Sequence, residues 1–156
     1  MIPMEPIGYV CARRTAVEDD YWGGTESSIV LDESFDAEAL RGLEDFSHAE
    51  IVFHFHKIPE ESVERGTRHP RNDPKWPRTG VFAMRSKNRP NRIGCTMVRV
   101  LRREGRTLYV AELDALDGTP VLDIKPVIKE FLPRGEVKQP WWCSELLAEY
   151  WAKGKE

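Results

Sequence analysis

Short segments that alternate between apolar and polar residues or run apolar, with β-branched and aromatic residues, recur along this chain, the pattern of half-buried strands: Ile7 to Ala12, Ser28 to Leu31, Ala49 to His56 and Val81 to Met84. The clearest hairpin runs from Thr96 to Arg103, turns at Glu104-Gly105-Arg106 and returns from Thr107 to Leu113. Gly105 supplies the positive φ that a tight connection needs. Helical signals are fewer. Asp36 is placed to cap a short helix through Leu40 that Gly42 ends, with Ala39, Leu40 and Leu43 toward the core. Pro140 suits the first turn of a second helix, in which Trp142, Leu146, Leu147, Tyr150 and Trp151 recur at near-helical spacing. Between strands, Pro59 to Pro77 holds four prolines among Arg, His and Asn, and proline cannot donate to a sheet ladder. That stretch is expected to be a long exposed loop.

A chain of 156 residues with 40% hydrophobic content is long enough for one domain with its own core and too short for two ordinary ones. No apolar run approaches the ~20 residues that cross a bilayer, and Met1 to Pro6 lacks the basic start and apolar centre of a signal peptide. The expectation is a soluble, cytoplasmic protein with no membrane partner. Cys11, Cys95 and Cys143 are odd in number, far apart and without a Cys-x-x-Cys spacing, which argues against a disulfide framework and a zinc ribbon.

The net charge of -3 conceals a segregation along the chain. Residues 18 to 50 contain eleven acids and one base, Arg41, whereas residues 65 to 92 contain nine bases and one acid, Asp73. The basic block has the charge to neutralise several phosphates. The alternative is that folding brings the two blocks together as solvated ion pairs.

Three stretches carry candidate chemistry. In Phe46 to His56, the even positions His48, Glu50, His54 and His56 share one strand face. A divalent metal would accept His54 and His56 with Glu50 or His69, but the spacing is unspecific, and the reading adopted is no metal, with imidazoles lining a polar pocket or pairing with acids. In Gly80 to Gly94, a strand runs into a loop with Arg85, Ser86, Lys87, Asn88, Arg89, Asn91 and Arg92, a donor-rich cradle for a carboxylate or phosphate, or a basic surface turn. In Leu113 to Pro126, Asp114, Asp117 and Asp123 surround a Gly-Thr-Pro turn. Carboxylates so placed bind a ribose diol, a cation or a basic residue, unless Asp123 pairs with Lys125 and Asp117 caps the turn.

Four ordered motifs, Ile7-Gly8, Gly42-Leu43-Glu44-Asp45-Phe46-Ser47-His48, Gly80 to Gly94 and Leu113 to Pro126, resemble the hallmarks of the TsaA-like family, which contains the TrmO-type tRNA adenosine N6-methyltransferases. The resemblance covers roughly residues 7 to 126. It implies a mainly β protein, a single compact β-barrel over residues 1–138 with short helices, followed by a C-terminal amphipathic helix over 139–156 that packs on the barrel or on a dimer partner. It further implies S-adenosyl-L-methionine as cofactor, a homodimer, and methylation of N6 of threonylcarbamoyl-adenosine next to the tRNA anticodon. Carried over by motif, Lys57, Ile58, Arg85, Cys95, Asp114, Asp117, Gly118, Thr119 and Pro120 are expected to bind the cofactor. Asp117 or His48 is expected to act as the base, and Arg89, Asn91 and Arg92 to contact the tRNA substrate.

Three departures bear on the substrate. The loop that usually carries Pro-Arg-Gln reads Asp19-Asp20-Tyr21-Trp22-Gly23-Gly24, the second proline of Arg-Pro-Asn-Pro-Ile-Gly is Arg92, and the extra C-terminal domain common in bacterial members is replaced by one short helix. They leave room for a methyltransferase of a small molecule or another nucleoside, and for a cofactor-binding regulatory module without turnover.

Overall fold

Alternation of period two places one side-chain set inside and one outside, and six such strands close on themselves in the computed structural model, which describes residues 1–154. The strands are β1 (Gly8–Cys11), β2 (Glu26–Leu31), β3 (His48–His54), β4 (Thr67–Arg68), β5 (Thr79–Gly80), β6 (Ile93–Glu104), β7 (Thr107–Ala111) and β8 (Pro120–Pro126). The barrel order is β1-β2-β7-β6-β3-β8, with every neighbouring pair antiparallel; β4 and β5 form a separate two-stranded ribbon. Val10, Ile29, Ile51, Phe53, Val98, Leu108, Val110 and Val121 fill the interior. Gly94 belongs to this packing, because a Cβ there would lie 2.6 Å from the Phe53 ring.

The β6–β7 hairpin forms as expected, with Glu104 opposite Thr107 and Gly105 at φ 57. Asp36 caps a 3-10 turn, Ala37–Leu40, by accepting from the Glu38 amide at 2.9 Å. Leu40 is buried and Leu43 packs on the core, but Ala39 faces solvent. Val81 to Met84 is no strand: Val81–Ala83 is a 3-10 turn closed by the Met84 amide on the Val81 carbonyl. Val81 and Met84, three apart, then fall on one buried side, since a 3-10 turn repeats every three residues.

The proline-rich stretch is a loop but not wholly an exposed one. Trp76 is buried and packs with Met84 and Trp142 in a second small core, joined by Cys143 and Leu146. Thus the C-terminal helix, α1 (Trp141–Leu146), rests on this long loop. It ends five residues before Trp151, and beyond it the carbonyls of Glu149, Tyr150 and Ala152 accept the amides of Tyr21, Trp22 and Gly23. Residues 155 and 156 of the expected C-terminal helical segment lie outside the described residues. Gly23 is required at this crossing, where a Cβ would lie 1.9 Å from the Trp151 carbonyl oxygen.

Candidate active site

Antiparallel closure sends β1, β3 and β7 in one direction and β2, β6 and β8 in the other. One rim, here the upper, therefore collects the ends of β1, β3 and β7 and the starts of β2, β6 and β8. The connections 12–25, 55–92 and 112–119 all lie there. Lys57, Ile58, Arg85, Cys95, Asp114 and the Asp117 to Pro120 turn come together on this rim from segments far apart in sequence.

Two groups of contacts organise it. The first stitches the turn to β1: the Ala12 amide donates to Asp117 Oδ1 at 3.0 Å, the Asp117 amide to the Arg14 carbonyl at 2.8 Å and the Gly118 amide to the Val10 carbonyl at 2.8 Å. Thr119 is buried beneath this turn. Lys57 Nζ donates to the Thr15 carbonyl. His56 also reaches the turn, its Nε2 standing 3.8 Å from where a Cβ on Gly118 would be.

The second group fills a gap between strands. β6 pairs with β7 only from Arg99 to Glu104, leaving Ile93 to Val98 paired with β3 alone. On the open side, Arg85 Nη2 donates to the Cys95 carbonyl at 2.7 Å. Thr96 Oγ1 donates to one oxygen of Asp114 and the Tyr150 hydroxyl to the other. Burial and the Asp114 charge push the Tyr150 hydroxyl far above its usual range, so it stays a donor. The Cys95 thiol instead donates to Glu50 at 2.7 Å. Burial first, then that carboxylate, push its pKa up to about 12, which removes it as a nucleophile at neutral pH.

The remaining expected residues fall differently. His48 opens β3 at the lower rim, six residues before His54 and roughly 20 Å away along the strand at ~3.3 Å per residue. It does not join Asp117. Arg92 donates to the Ile58 carbonyl at 2.6 Å, and Arg89 to the Met84 carbonyl at 2.7 Å, so both fasten the loop's own backbone. Asn91 is exposed at φ 63. Arg92 itself has φ 50 and its amide donates to the Arg89 carbonyl at 2.9 Å, neither of which proline allows. The turn is therefore specific to the residue found here.

The sequence marks His54 and His56 as pocket-lining imidazoles, with a metal as the lesser reading, and Tyr150 as a packing residue. Among the described residues, no three His, Cys, Asp or Glu side chains converge on a metal site. Burial, then the Arg92 and His56 charges, lower the His54 pKa below 6.5. Burial and Lys57 do the same to His56 against an opposing pull from Asp117. Both imidazoles are thus held toward the neutral, proton-accepting form. Two cues for His56 were its place just past the strand end and its neighbour Lys57; Tyr150 reaches Asp114 across 36 residues and had none.

With this geometry in hand, the chain was compared with known proteins. The model of the tRNA-methyltransferase O N-terminal domain matches residues 14–131. The chain belongs to that family. It is 43% identical over 102 residues to the human tRNA (adenine(37)-N6)-methyltransferase, covering 65% of this chain and 23% of that protein. It is 45% identical over 96 residues to the Escherichia coli tRNA (adenine(37)-N6)-methyltransferase, covering 59% and 40%. The crystal structure of TrmO from Pseudomonas aeruginosa superposes with a TM-score of 0.69 at 30% identity, over 88% of this chain and 61% of that one. The chain thus spans less than half the length of either curated methyltransferase. Within the family match fall every upper-rim residue above except Ala12 and Val10 at its edge and Tyr150, which comes from the C-terminal segment beyond it.

Proposed function

We propose that this chain is an S-adenosyl-L-methionine-dependent methyltransferase that methylates N6 of threonylcarbamoyl-adenosine next to the tRNA anticodon. The observation that carries the reading is the gathering of Arg85, Asp114, His56 and the Asp117 to Pro120 turn on one rim of a barrel whose family is that of the TrmO N-terminal domain.

The donor set fits the cofactor. Arg85 is an exposed guanidinium with one Nη committed to the Cys95 carbonyl, which leaves its outer edge for a carboxylate. Beside it, Ser86 Oγ is buried without a hydrogen-bond partner among the described residues, an atom whose cost a ligand would offset. Asp114 and Asp117 match a ribose hydroxyl or a positive charge, and the exposed Gly118, having no side chain, leaves the turn open to the close approach of a flat ring. When bound, S-adenosylmethionine supplies a methyl group already activated on a sulfonium.

The protein's share is orientation and one proton. An acylated adenosine N6 is a poor nucleophile until its proton is shared with a base. Asp117, its Oδ1 fixed by the Ala12 amide, and His56, held toward its neutral form, are two acceptors on this rim, side by side at the turn. His56 replaces His48 in that role on grounds of place. A positioned base contributes about 10²–10⁴-fold, and orientation several kcal/mol more. Arg65, Lys75 and Arg78, on the exposed side of the long loop, are the cations best placed to follow an RNA backbone.

The protein acts as a cytoplasmic homodimer in this reading. Support for the dimer is an arm, residues 127 to 140, whose Phe131 and Val137 are 83% and 68% exposed, beside a groove of about 470 Å³ between Glu50, Met97 and Phe131 to Arg134 on the outer wall. Among the described residues no helix is long and apolar enough to cross a membrane. The test is transfer of a radiolabelled methyl group to total tRNA by the wild type and by Asp117→Asn. Label in tRNA that is lost in the variant while cofactor binding persists supports the assignment. Cofactor binding without label in any tRNA would return the chain to a small-molecule enzyme or a regulatory module.

A further inference from the structure

The acidic and basic blocks of the sequence meet at one place. Arg71 donates through Nη1 and Nη2 to the two oxygens of Asp20, at 3.1 and 2.7 Å, and its Nε lies 3.8 Å from Asp19. Lys87 holds Asp19 at 2.8 Å. Side chains in this quartet are between 22% and 49% exposed, so the pairs are shielded without being sealed. Burial opposes the charge on Asp19, yet the hydrogen bond from Lys87 and the charges of Lys87, Arg71 and Arg68 outweigh it and hold its carboxyl below the usual range.

The acidic loop is also tied to the C-terminal segment. Arg14 lies 3.6 Å over the Trp22 ring and donates to the carbonyls of Asp20 and Tyr21. The next three amides, Tyr21, Trp22 and Gly23, donate to Glu149, Tyr150 and Ala152. Tyr150 in turn caps Asp114. One continuous path of contacts leads from the Arg71–Asp20 fork to the carboxylate in the β6–β7 gap.

A guanidinium gripping two carboxylate oxygens grips two phosphate oxygens with the same fork, and a lysine beside it adds a point charge. Resting on the methyltransferase reading above, we propose that Arg71 and Lys87 form a phosphate-binding site for the substrate RNA that the chain's own Asp19 and Asp20 occupy in the free protein. RNA phosphate displaces the acidic loop, and its departure loosens the C-terminal segment that carries Tyr150, freeing one oxygen of Asp114. The site is masked until nucleic acid arrives.

The test uses the full chain and a synthetic anticodon stem–loop, with D19N/D20N against a control of equal charge change at the opposite rim, D32N/E33N. Masking predicts that D19N/D20N tightens RNA binding ~five-fold beyond the control. It also predicts that R71Q costs little in the wild type and most of that gain in D19N/D20N, because only there is Arg71 free to meet phosphate. Hydrogen exchange at the Tyr21, Trp22 and Gly23 amides rises when the stem–loop is added. Equal gains in the two double variants, or weaker binding by D19N/D20N, would overturn the proposal. If the stem–loop binds no form of the protein, the RNA reading falls separately, and elution from immobilised heparin decides the masked site: a later elution of D19N/D20N than of D32N/E33N upholds it as an anion site, and co-elution removes it.

Discussion

The lower rim of the barrel is closed by economical connections: Gly105 and Arg106 turn β6 into β7, and the β2–β3 connection folds into 3-10 turns with Leu40 as a buried plug. The upper rim is spanned by three long connections that carry most of the arginines, and that are held by ion pairs, side-chain caps on backbone groups and a small core around Trp76. The same six strands support both. The lower rim is fastened around the buried Leu40, with the Arg103–Glu44 ion pair, at 2.7 Å, and the Asp36 cap at its surface. The other is fastened by polar contacts that a ligand is able to exchange, so stability and chemistry are separable along the barrel axis.

The sharpest break in that comparison comes from the two histidines at opposite ends of β3. His56→Asn, at the upper rim, is expected to slow methyl transfer about 10²–10⁴-fold, and His48→Asn, at the lower, to leave it unchanged; single-turnover rates on tRNA measure both. Next in size is Leu40→Ala, which leaves a cavity in the plug and is expected to cost about 2–5 kcal/mol in urea unfolding while the cofactor affinity of the folded protein stays the same. A smaller, local effect belongs to Gly23→Ala. Its Cβ collides with the Trp151 carbonyl, so the C-terminal segment should detach and become accessible to protease, with little loss of the barrel's own unfolding midpoint. The smallest concerns pH. With the His56 pKa lowered by burial and Lys57, the acid limb of turnover should lie on the acid side of an ordinary imidazole's. Stability follows the same sign: the unfolded imidazole takes a proton at the higher pH, so stability is lost as pH falls through the folded-state value.

The strands were legible because period two survives in a closed sheet, and the hairpin because Gly105 marks its turn. Val81 to Met84 reads as a strand because a run of four apolar residues fits a short buried strand, whereas the 3-10 turn buries only Val81 and Met84, three apart, and leaves Phe82 in solvent. α1 stops at Leu146, and the residues after it pair through their carbonyls with Tyr21 to Gly23, a long-range contact that helical spacing does not reveal. In the site, alternation told which face His48, His54 and His56 share but not which end of the barrel each occupies, since that depends on strand direction and closure. Motif order brought Arg85, Cys95, Asp114 and Asp117 to notice, while their partners Tyr150, Thr96 and Arg14 were visible only once the chain was folded. Of the two charge blocks, Asp19 and Asp20 pair with Arg71 and Lys87, while Arg65, Lys75 and Arg78 remain on the loop's exposed side.

The measurement that tests the central claim most directly is calorimetric titration of the purified protein with S-adenosylmethionine, repeated with Arg85→Ala. The upper-rim account predicts micromolar binding by the wild type and roughly 10–100-fold weaker binding by the variant at unchanged stability, the loss of a charge-assisted contact to the cofactor's carboxylate. Absence of binding by the wild type, or equal affinity in Arg85→Ala, would contradict it.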